Sequence, residues 1–549
     1  MHRLFALPAF LLAAGLAFLF WSWMGRPVPL PDAPGGRLQC LSYTPYDGSS
    51  SPLDSSYTVE PGHIRRDLEA LHPYTECIRT YSSMPPQGEV VKVADELGMK
   101  VYLGIWISAN AKDNEKEIAA ALALAKAHPD AIKALVVGNE VMLRREMTGE
   151  QLAAIIRDVK AKSGLPVTYA DIYEFWRRNP VLADAVDFMS IHILPHWDDP
   201  APVSIDEVQD HVRGIIERVQ KTFPGKPMII GEIGWPSAGR TRGAAVPSLV
   251  NQARFIREFV GRADALGVPY NIIEAIDQAW KRAPEGTVGG YWGILDADRA
   301  LKFPLTGPVR EWPHWQLALT VSLVLTGVVL LWGLMPGRQI NFGRWLLFGV
   351  LAQVLATTLV LQAAQTATIS LNAFEYARGW LLSLLTVAGF ALIVLPRIGG
   401  VDRGRINAVP APLDVLLGWL RRPSRAELTP DIALGLVSWP ALIGCALAAL
   451  LMAVDGRHRD FLIPEFWLLA ALFLYHWMRS PRRLDWRDGR REEGWLALVL
   501  IVVGSFAWGG PRNAEAMIWT AVAVAMALPW LGAAREALRA PALQPRKAQ

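Results

Sequence analysis

Cysteine is nearly absent from this chain, with three residues in 549. That scarcity excludes a disulfide-dense scaffold. No His/Cys spacing resembles a metal site, because His192 and His196 stand four apart in a strand-and-loop context rather than on one helix face. No metal and no cofactor are therefore expected. Charge is also scarce and nearly balanced, 55 Lys and Arg against 51 Asp and Glu, so the chain lacks the basic field of a nucleic-acid binder. Residues 38–306 lack any apolar run long enough to cross a bilayer, while 313–535 lack charge outside short Arg-rich loops. These two deficits divide the chain.

Apolar blocks lie near 313–335, 345–365, 379–396, 432–454, 461–478, 494–509 and 514–532, and another opens the chain at 4–24. About twenty apolar residues at helical rise match a hydrocarbon core of roughly 30 Å. The N-terminal block lacks a convincing small-x-small cleavage site, so an uncleaved anchor is expected. Arg338, Arg344, Arg397, Arg403, Arg405, Arg421, Arg422 and Arg425 fall in alternate loops. With them go Arg479, Arg482, Arg483, Arg487, Arg490 and Arg491, and then Arg535, Arg539, Arg546 and Lys547 at the end. The opposite short loops carry Arg378, Arg457, Arg459 and Arg512. This bias predicts eight crossings with both termini cytoplasmic and the globular part outside. The expected organisation is 1–30 anchor and linker, 37–306 globular domain, 313–535 membrane domain of about seven helices, and 536–549 cytoplasmic tail. The lipid bilayer is the first expected partner, and a bacterial inner membrane the expected location.

Within the globular part, short apolar runs alternate with helix-period segments. Strands are expected at 38–43, 75–81, 100–106, 132–138, 165–171, 186–192, 226–232 and 269–275, with helices such as 86–97, 114–127, 149–162, 204–222 and 247–265. Ser204 with Glu207 resembles a capping box for the fourth of these helices. Cys40 and Cys77 fall in adjacent strands, where a disulfide is permitted; two buried free thiols are the expected state. Eight strand–helix repeats in this length have the order of an α/β (β/α)₈ TIM barrel, followed by an all-α polytopic transmembrane domain. An open doubly wound sheet would share the alternation. The barrel is favoured because polar residues gather at one strand end after another, the end at which such barrels place their chemistry.

Two of those residues are glutamates that close aliphatic strands: Glu140 in "LVVGNEV" on strand four and Glu232 in "IIGEIGWPSAG" on strand seven. Across a barrel mouth they can converge on one bond. A pair of carboxyl groups about 5–5.5 Å apart is the arrangement for retaining glycoside hydrolysis. Trp197, Trp280 and Trp292 are candidate platforms for sugar faces, and Arg79, Asn139, Asp171, Tyr173 and His192 candidate partners for hydroxyls. Tyr43, Tyr81, Trp235, Asp277 and Lys281 complete the expected substrate-binding set.

"GNEV" and "GEIGWPS" resemble the signatures of family 17 glycoside hydrolases, retaining barrels active on β-1,3-glucan. "LSYTPY", "RTYSS", "YADIYEFW", "HILPHW" and "EAIDQAWKR…EGTVGGYWGILDADR" are similar to that family's bacterial members. The resemblance implies Glu140 as acid/base and Glu232 as nucleophile. It implies a β-glucan poly- or oligosaccharide as substrate and other glucan-synthesis proteins as partners. The plant members' strand-eight pattern differs at Asp277, Lys281 and Glu285. Water or a sugar hydroxyl can resolve the covalent intermediate, so hydrolysis and transglycosylation both stay open, as does glucan synthesis or branching. A second class also stands, in which the barrel only binds glycan and the membrane half is a sensor or transporter. Gln353, Gln362, Glu465 and His476 then line a path, or else serve helix packing.

Overall fold

The aliphatic runs of the first half pair in sequence and close on themselves. The computed structural model describes residues 2–48, 50–54, 57–60, 62–198, 202–400, 403–487, 490–506 and 510–539. The last ten residues of the expected cytoplasmic tail, including Arg546 and Lys547, lie outside the described residues. The chain divides into two units, Pro27–Glu311 and Met1–Arg26 with Trp312–Gln549.

The first unit is a closed barrel of eight strands. They are β1 (Leu41–Ser42), β2 (Cys77–Arg79), β3 (Lys100–Ile105), β4 (Ile132–Asn139), β5 (Val167–Ile172), β6 (Met189–Ile193), β7 (Met228–Ile233) and β8 (Tyr270–Ile272). Every neighbouring pair is parallel, and Leu41 on β1 pairs with Ile272 on β8 to close the ring. Closure excludes the open sheet. The strands read as near-continuous aliphatic runs because both of their faces are covered, one by the barrel interior and one by helices. Ile78, Leu103, Leu135, Val137, Val167, Ile191 and Ile230 have no more than 0% exposure.

Helices at Val90–Glu96, Ala111–Ala127, Gly149–Ser163, Val208–Thr222 and Leu249–Leu266 fall where the periodicity places them, and His63–Leu71 adds one between β1 and β2. The cap at Ser204 is corrected: the helix begins at Val208, and the Ser204 hydroxyl donates to the Glu207 side chain at 3.0 Å in the turn before it. A true capping box starts Gly149–Ser163 instead. There Thr148 Oγ1 accepts from the Gln151 amide, and the Gln151 side chain accepts from the Thr148 amide. Pro27–Val28 pairs with Val309–Arg310 and joins the ends of this unit. Arg257 secures the same ends, donating to the carbonyls of Leu30 (3.1 Å), Gly307 (2.7 Å) and Pro31, and to the Asp32 carboxylate at 2.7 Å.

The expected free thiols are also corrected. Cys40 and Cys77 form a disulfide with their Cα atoms 4.5 Å apart. The reason is register: β1 and β2 are adjacent and parallel, with Leu41 opposite Ile78, so the residues one step before each also face one another. The bridge closes a sequence separation of 37 residues. On chain-entropy grounds, Cys77→Ser is expected to destabilise the barrel by about 4 kcal/mol. Denaturant unfolding of the oxidised wild type and the variant measures this, and reduction should bring the wild type down to the variant's midpoint.

The second unit is helical. Among the described residues, six of its helices are long and apolar enough to cross a membrane: Arg3–Met24, Trp315–Leu334, Phe342–Ile369, Ala373–Gly399, Pro430–Val454 and Ala514–Arg539. Eight crossings were expected. The blocks near 461–478 and 494–509 do form helices, Ile463–Arg479 and Arg491–Phe506, but of 17 and 16 residues.

Candidate active site

Four strands deliver the charged centre of the barrel. Arg79 is the last residue of β2, Asn139 ends β4 with Glu140 directly after it, His192 lies on β6, and Glu232 lies on β7. Arg79 is 2% exposed and reaches across the mouth. Its Nη1 donates to Glu232 Oε1 at 2.8 Å and to the Gly231 carbonyl at 3.0 Å, while Nη2 donates to Asn139 Oδ1 at 2.6 Å. His192 lies between the carboxylates, with Nδ1 2.9 Å from Glu140 Oε1 and Nε2 3.5 Å from Glu232 Oε1.

The backbone is shaped to allow this. Gly138 has φ +88°, and a Cβ there would meet Val141 at 2.8 Å. Glu140 itself has φ 52°, a left-handed conformation that costs a side-chain-bearing residue about 1 kcal/mol or more. The two residues together turn the chain at the end of β4 and aim Glu140 inward. At Gly231, a Cβ would lie 2.0 Å from Ser190 Oγ, so only glycine lets β7 approach β6 closely enough beside Glu232.

The carboxylates differ in setting. The Glu140 side chain is 23% exposed and that of Glu232 only 6%. Burial works to raise the Glu232 carboxyl, but His192, Arg79 and Lys281 outweigh it and hold the group below the usual carboxylate range. Donor atoms of Glu140, His192 and Glu232 lie within 4.8 Å of one another, a spacing a cation could use. The positive charge at this place comes from Arg79, whose guanidinium already occupies the Glu232 oxygen. An oxygen separation below about 5 Å matches the short carboxylate pair of retaining glycosidases, against roughly 6.5–9.5 Å in inverting ones.

Other expected site residues divide by what they touch. Tyr81 stays at the centre, with the Arg79 guanidinium 4.6 Å from its ring centroid and its own hydroxyl buried beside Glu232 and Ser42. Burial, and then the charge of Glu232, raise that phenol well above its ordinary range. Asp171 accepts from the Tyr169 hydroxyl, and burial with Glu140 nearby pushes its carboxyl up to about 6. Lys281 donates to Glu274 Oε2 at 2.6 Å. Trp197 and Trp292 stack at 6.5 Å with 19° between their planes. Trp280 is part-exposed and donates to Gln278 Oε1 at 2.9 Å.

Four expected contacts are engaged elsewhere. The Tyr43 hydroxyl is buried and donates to Asp67 at 2.6 Å. Tyr173 meets Thr222 at 2.9 Å on the outer helix Val208–Thr222. Trp235 is 0% exposed, packs on Phe255 and donates to the Val246 carbonyl, so no sugar face can reach its ring. Asp277 is held by Lys302 at 2.8 Å and by the Gly293 amide, and burial pushes its carboxyl up to about 6. His196 is far from metal-ligand chemistry: burial brings its imidazole down to about 3, and it packs edge-on against Trp197, Trp235 and Trp292.

Two residues stand outside the expected substrate-binding set, although Glu274 and Trp106 both lie at the strand ends where the sequence places the rim. Glu274 follows β8, is 2% exposed, and keeps Oε1 without a partner among the described residues; burial pushes its carboxyl up to about 7 against the pull of Lys281. Its signal was in the sequence, since "NIIEA" ends an aliphatic run in a glutamate as "LVVGNE" and "IIGE" do. Arg144 lies with its guanidinium carbon 4.1 Å from the ring centroid of Trp106, which is 38% exposed at the end of β3. No spacing rule links those two positions.

The BtgE/BtgC glycoside hydrolase domain family matches over residues 40–293. A glucan 1,3-beta-glucosidase of Candida albicans is 28% identical over 262 residues, covering 44% of this chain and 84% of that protein. The glucan 1,3-beta-glucosidase of Schizosaccharomyces pombe is 27% identical over 293 residues, covering 50% of this chain and 88% of that protein. Among solved structures, an active-site mutant of Rhizomucor miehei beta-1,3-glucanosyltransferase in complex with laminaritriose is 27% identical and covers 50% of this chain and 98% of its own, with a TM-score of 0.43. These relatives are fungal, which does not bear out the expected bacterial affinity.

Proposed function

We propose that this chain, which belongs through residues 40–293 to the BtgE/BtgC glycoside hydrolase family, is a retaining enzyme of β-1,3-glucan. Glu232 is the nucleophile and Glu140 the acid/base. The observation that carries the reading is the asymmetry of the pair, one carboxylate buried and fixed by Arg79, the other open and beside His192.

The charged Glu232 attacks the anomeric carbon as the glycosidic bond breaks, and Glu140 gives its proton to the departing oxygen. Glu232 is then an uncharged ester. Glu140, now a carboxylate, takes the proton of an incoming hydroxyl, whose oxygen displaces Glu232 with a second inversion. Cations that hold Glu232 anionic keep it ready to attack across the working pH range. Glu274, with a buried oxygen lacking a partner among the described residues, supplies a contact for a substrate hydroxyl, and the Tyr81 hydroxyl beside Glu232 supplies another. Trp197 and Trp280 supply apolar faces.

The incoming hydroxyl belongs to a second glucan in our reading, alongside water. Transfer needs a surface that holds an acceptor against bulk water, and Trp106 beneath Arg144 offers such a face. The six long apolar helices fit residence in a membrane, and the alternation of Arg-rich loops supports a barrel outside with cytoplasmic termini. Incubation of the full-length protein in detergent with laminari-oligosaccharides tests the proposal. Products both longer and shorter than the substrate are expected. Shorter products alone sink the transfer, and no products at all sink the glycosidase.

A further inference from the structure

The helical unit contains polar side chains that helix packing leaves unsatisfied. They gather where Phe342–Ile369, Ala373–Gly399 and Ile463–Arg479 meet. Glu465 is 0% exposed, and neither of its carboxylate oxygens has a hydrogen-bond donor among the described residues. Its charged neighbours are Arg378, whose Nη2 stands 3.9 Å from Oε1, beyond hydrogen-bond reach, and Asp460 in the preceding segment.

Two glutamines share the place. Gln362 Nε2 donates to Thr386 Oγ1 at 3.1 Å, to the Pro464 carbonyl at 3.0 Å and to the Glu465 carbonyl at 3.3 Å. Gln365 Nε2 donates to the Phe461 carbonyl at 2.8 Å. Those carbonyls can only accept, so they fix which end of each amide faces them. The Oε1 atoms of both glutamines are left buried without partners among the described residues, as is Thr366 Oγ1. Thr366 lies where the first two helices touch, since a Cβ on Gly379 would be 2.3 Å from its hydroxyl. Four of the unsatisfied atoms are acceptors, two amide oxygens and both oxygens of a carboxylate, and Arg378 Nε is a donor left in the same state.

Packing alone gives no account of this. A buried carboxylate without donors is costly, and acceptors drawn from separate helices do not satisfy one another. A positive species between them removes both costs. Oxygen-only ligands of this kind suit a hard, small cation rather than a thiol-seeking metal. We propose that this cluster binds a monovalent cation, a proton or sodium, with Glu465 as its carboxylate and Gln362 and Gln365 as neutral oxygen partners. The site gives the helical unit a role beyond anchoring, because occupancy ties together the helices that carry these residues.

The test uses full-length protein in detergent, with the unfolding midpoint of the helical unit followed in sodium chloride against choline chloride at equal ionic strength, between about pH 5 and pH 8. Wild type is expected to gain on the order of 3 °C or more from sodium, or from acidification alone if the proton is the ligand. Glu465→Gln, which carries no charge, should lose that dependence. Should that variant fail to fold, Gln362→Leu must shrink the same response. A wild type indifferent to both, or a Glu465→Gln that tracks wild type in both titrations, overturns the site. Glucan turnover in the same preparations should be unchanged by Glu465→Gln. A barrel inactive in wild type would sink the glycosidase reading and leave the cation result standing.

Discussion

Glu232→Ala is expected to lower glucan turnover by roughly 10⁴-fold or more, because removing a covalent nucleophile leaves only binding and proton transfer. Small anions should then reveal its role. Azide can enter the space the carboxylate vacates, on the face opposite the leaving group. With an aryl β-glycoside it should restore part of the turnover and give an α-glycosyl azide, the inverted product. The side chain removed is 6% exposed and bonded by Arg79, so the variant leaves a guanidinium facing an empty, electropositive cavity that favours an anion. The same cations explain why the native carboxyl lies below its usual range despite burial. Anomeric configuration read by NMR decides the matter: a β-azide, or no rescue alongside near-normal activity, removes Glu232 from the nucleophile's role.

How much of this was visible beforehand depended on which physical constraint each residue answers to. The convergence of Glu140 and Glu232 was legible because a charge at the end of an aliphatic strand has few explanations, and two such ends in one barrel reinforce each other. Arg79 and His192 were legible as rim residues, but not as the bridge between the pair, since their reach across the mouth follows from barrel closure. Tyr43 and Trp235 show the limit. Both sit near functional strand ends, yet Tyr43 turns to Asp67 and Trp235 turns into the core against Phe255. A turn of one residue in the pleat decides this, and before Tyr43 period-two patterning is lost because β1 shortens to Leu41–Ser42. The disulfide was undecidable for the same reason, because pairing needs the register of β1 on β2. In the helical unit hydropathy was enough to find the elements, since each apolar block read from the sequence falls on a helix among the described residues.

The loss expected on removing Glu140 depends on the leaving group, which a merely structural role would not reproduce. Glu140→Ala should slow cleavage of unactivated glucan by roughly 10²–10⁴-fold, the usual worth of a positioned general acid. An aryl β-glycoside whose phenolate departs without a proton should still form the glycosyl-enzyme at nearly the native rate. The intermediate should then accumulate, since nothing deprotonates the acceptor, and a burst of phenol followed by a slow steady state would record it. Glu140 is suited to this because it is the open member of the pair, 23% exposed where Glu232 is 6%, and can exchange protons with solvent or an incoming hydroxyl. Azide added here enters from the side of the departed leaving group and should give the β-glycosyl azide, opposite in configuration to that from Glu232→Ala. Equal losses on activated and unactivated substrates would mean that Glu140 only holds His192 in place. The paired variants thus read the left-handed turn at Glu140 as a device that sets a proton donor on one face of the sugar and a nucleophile on the other.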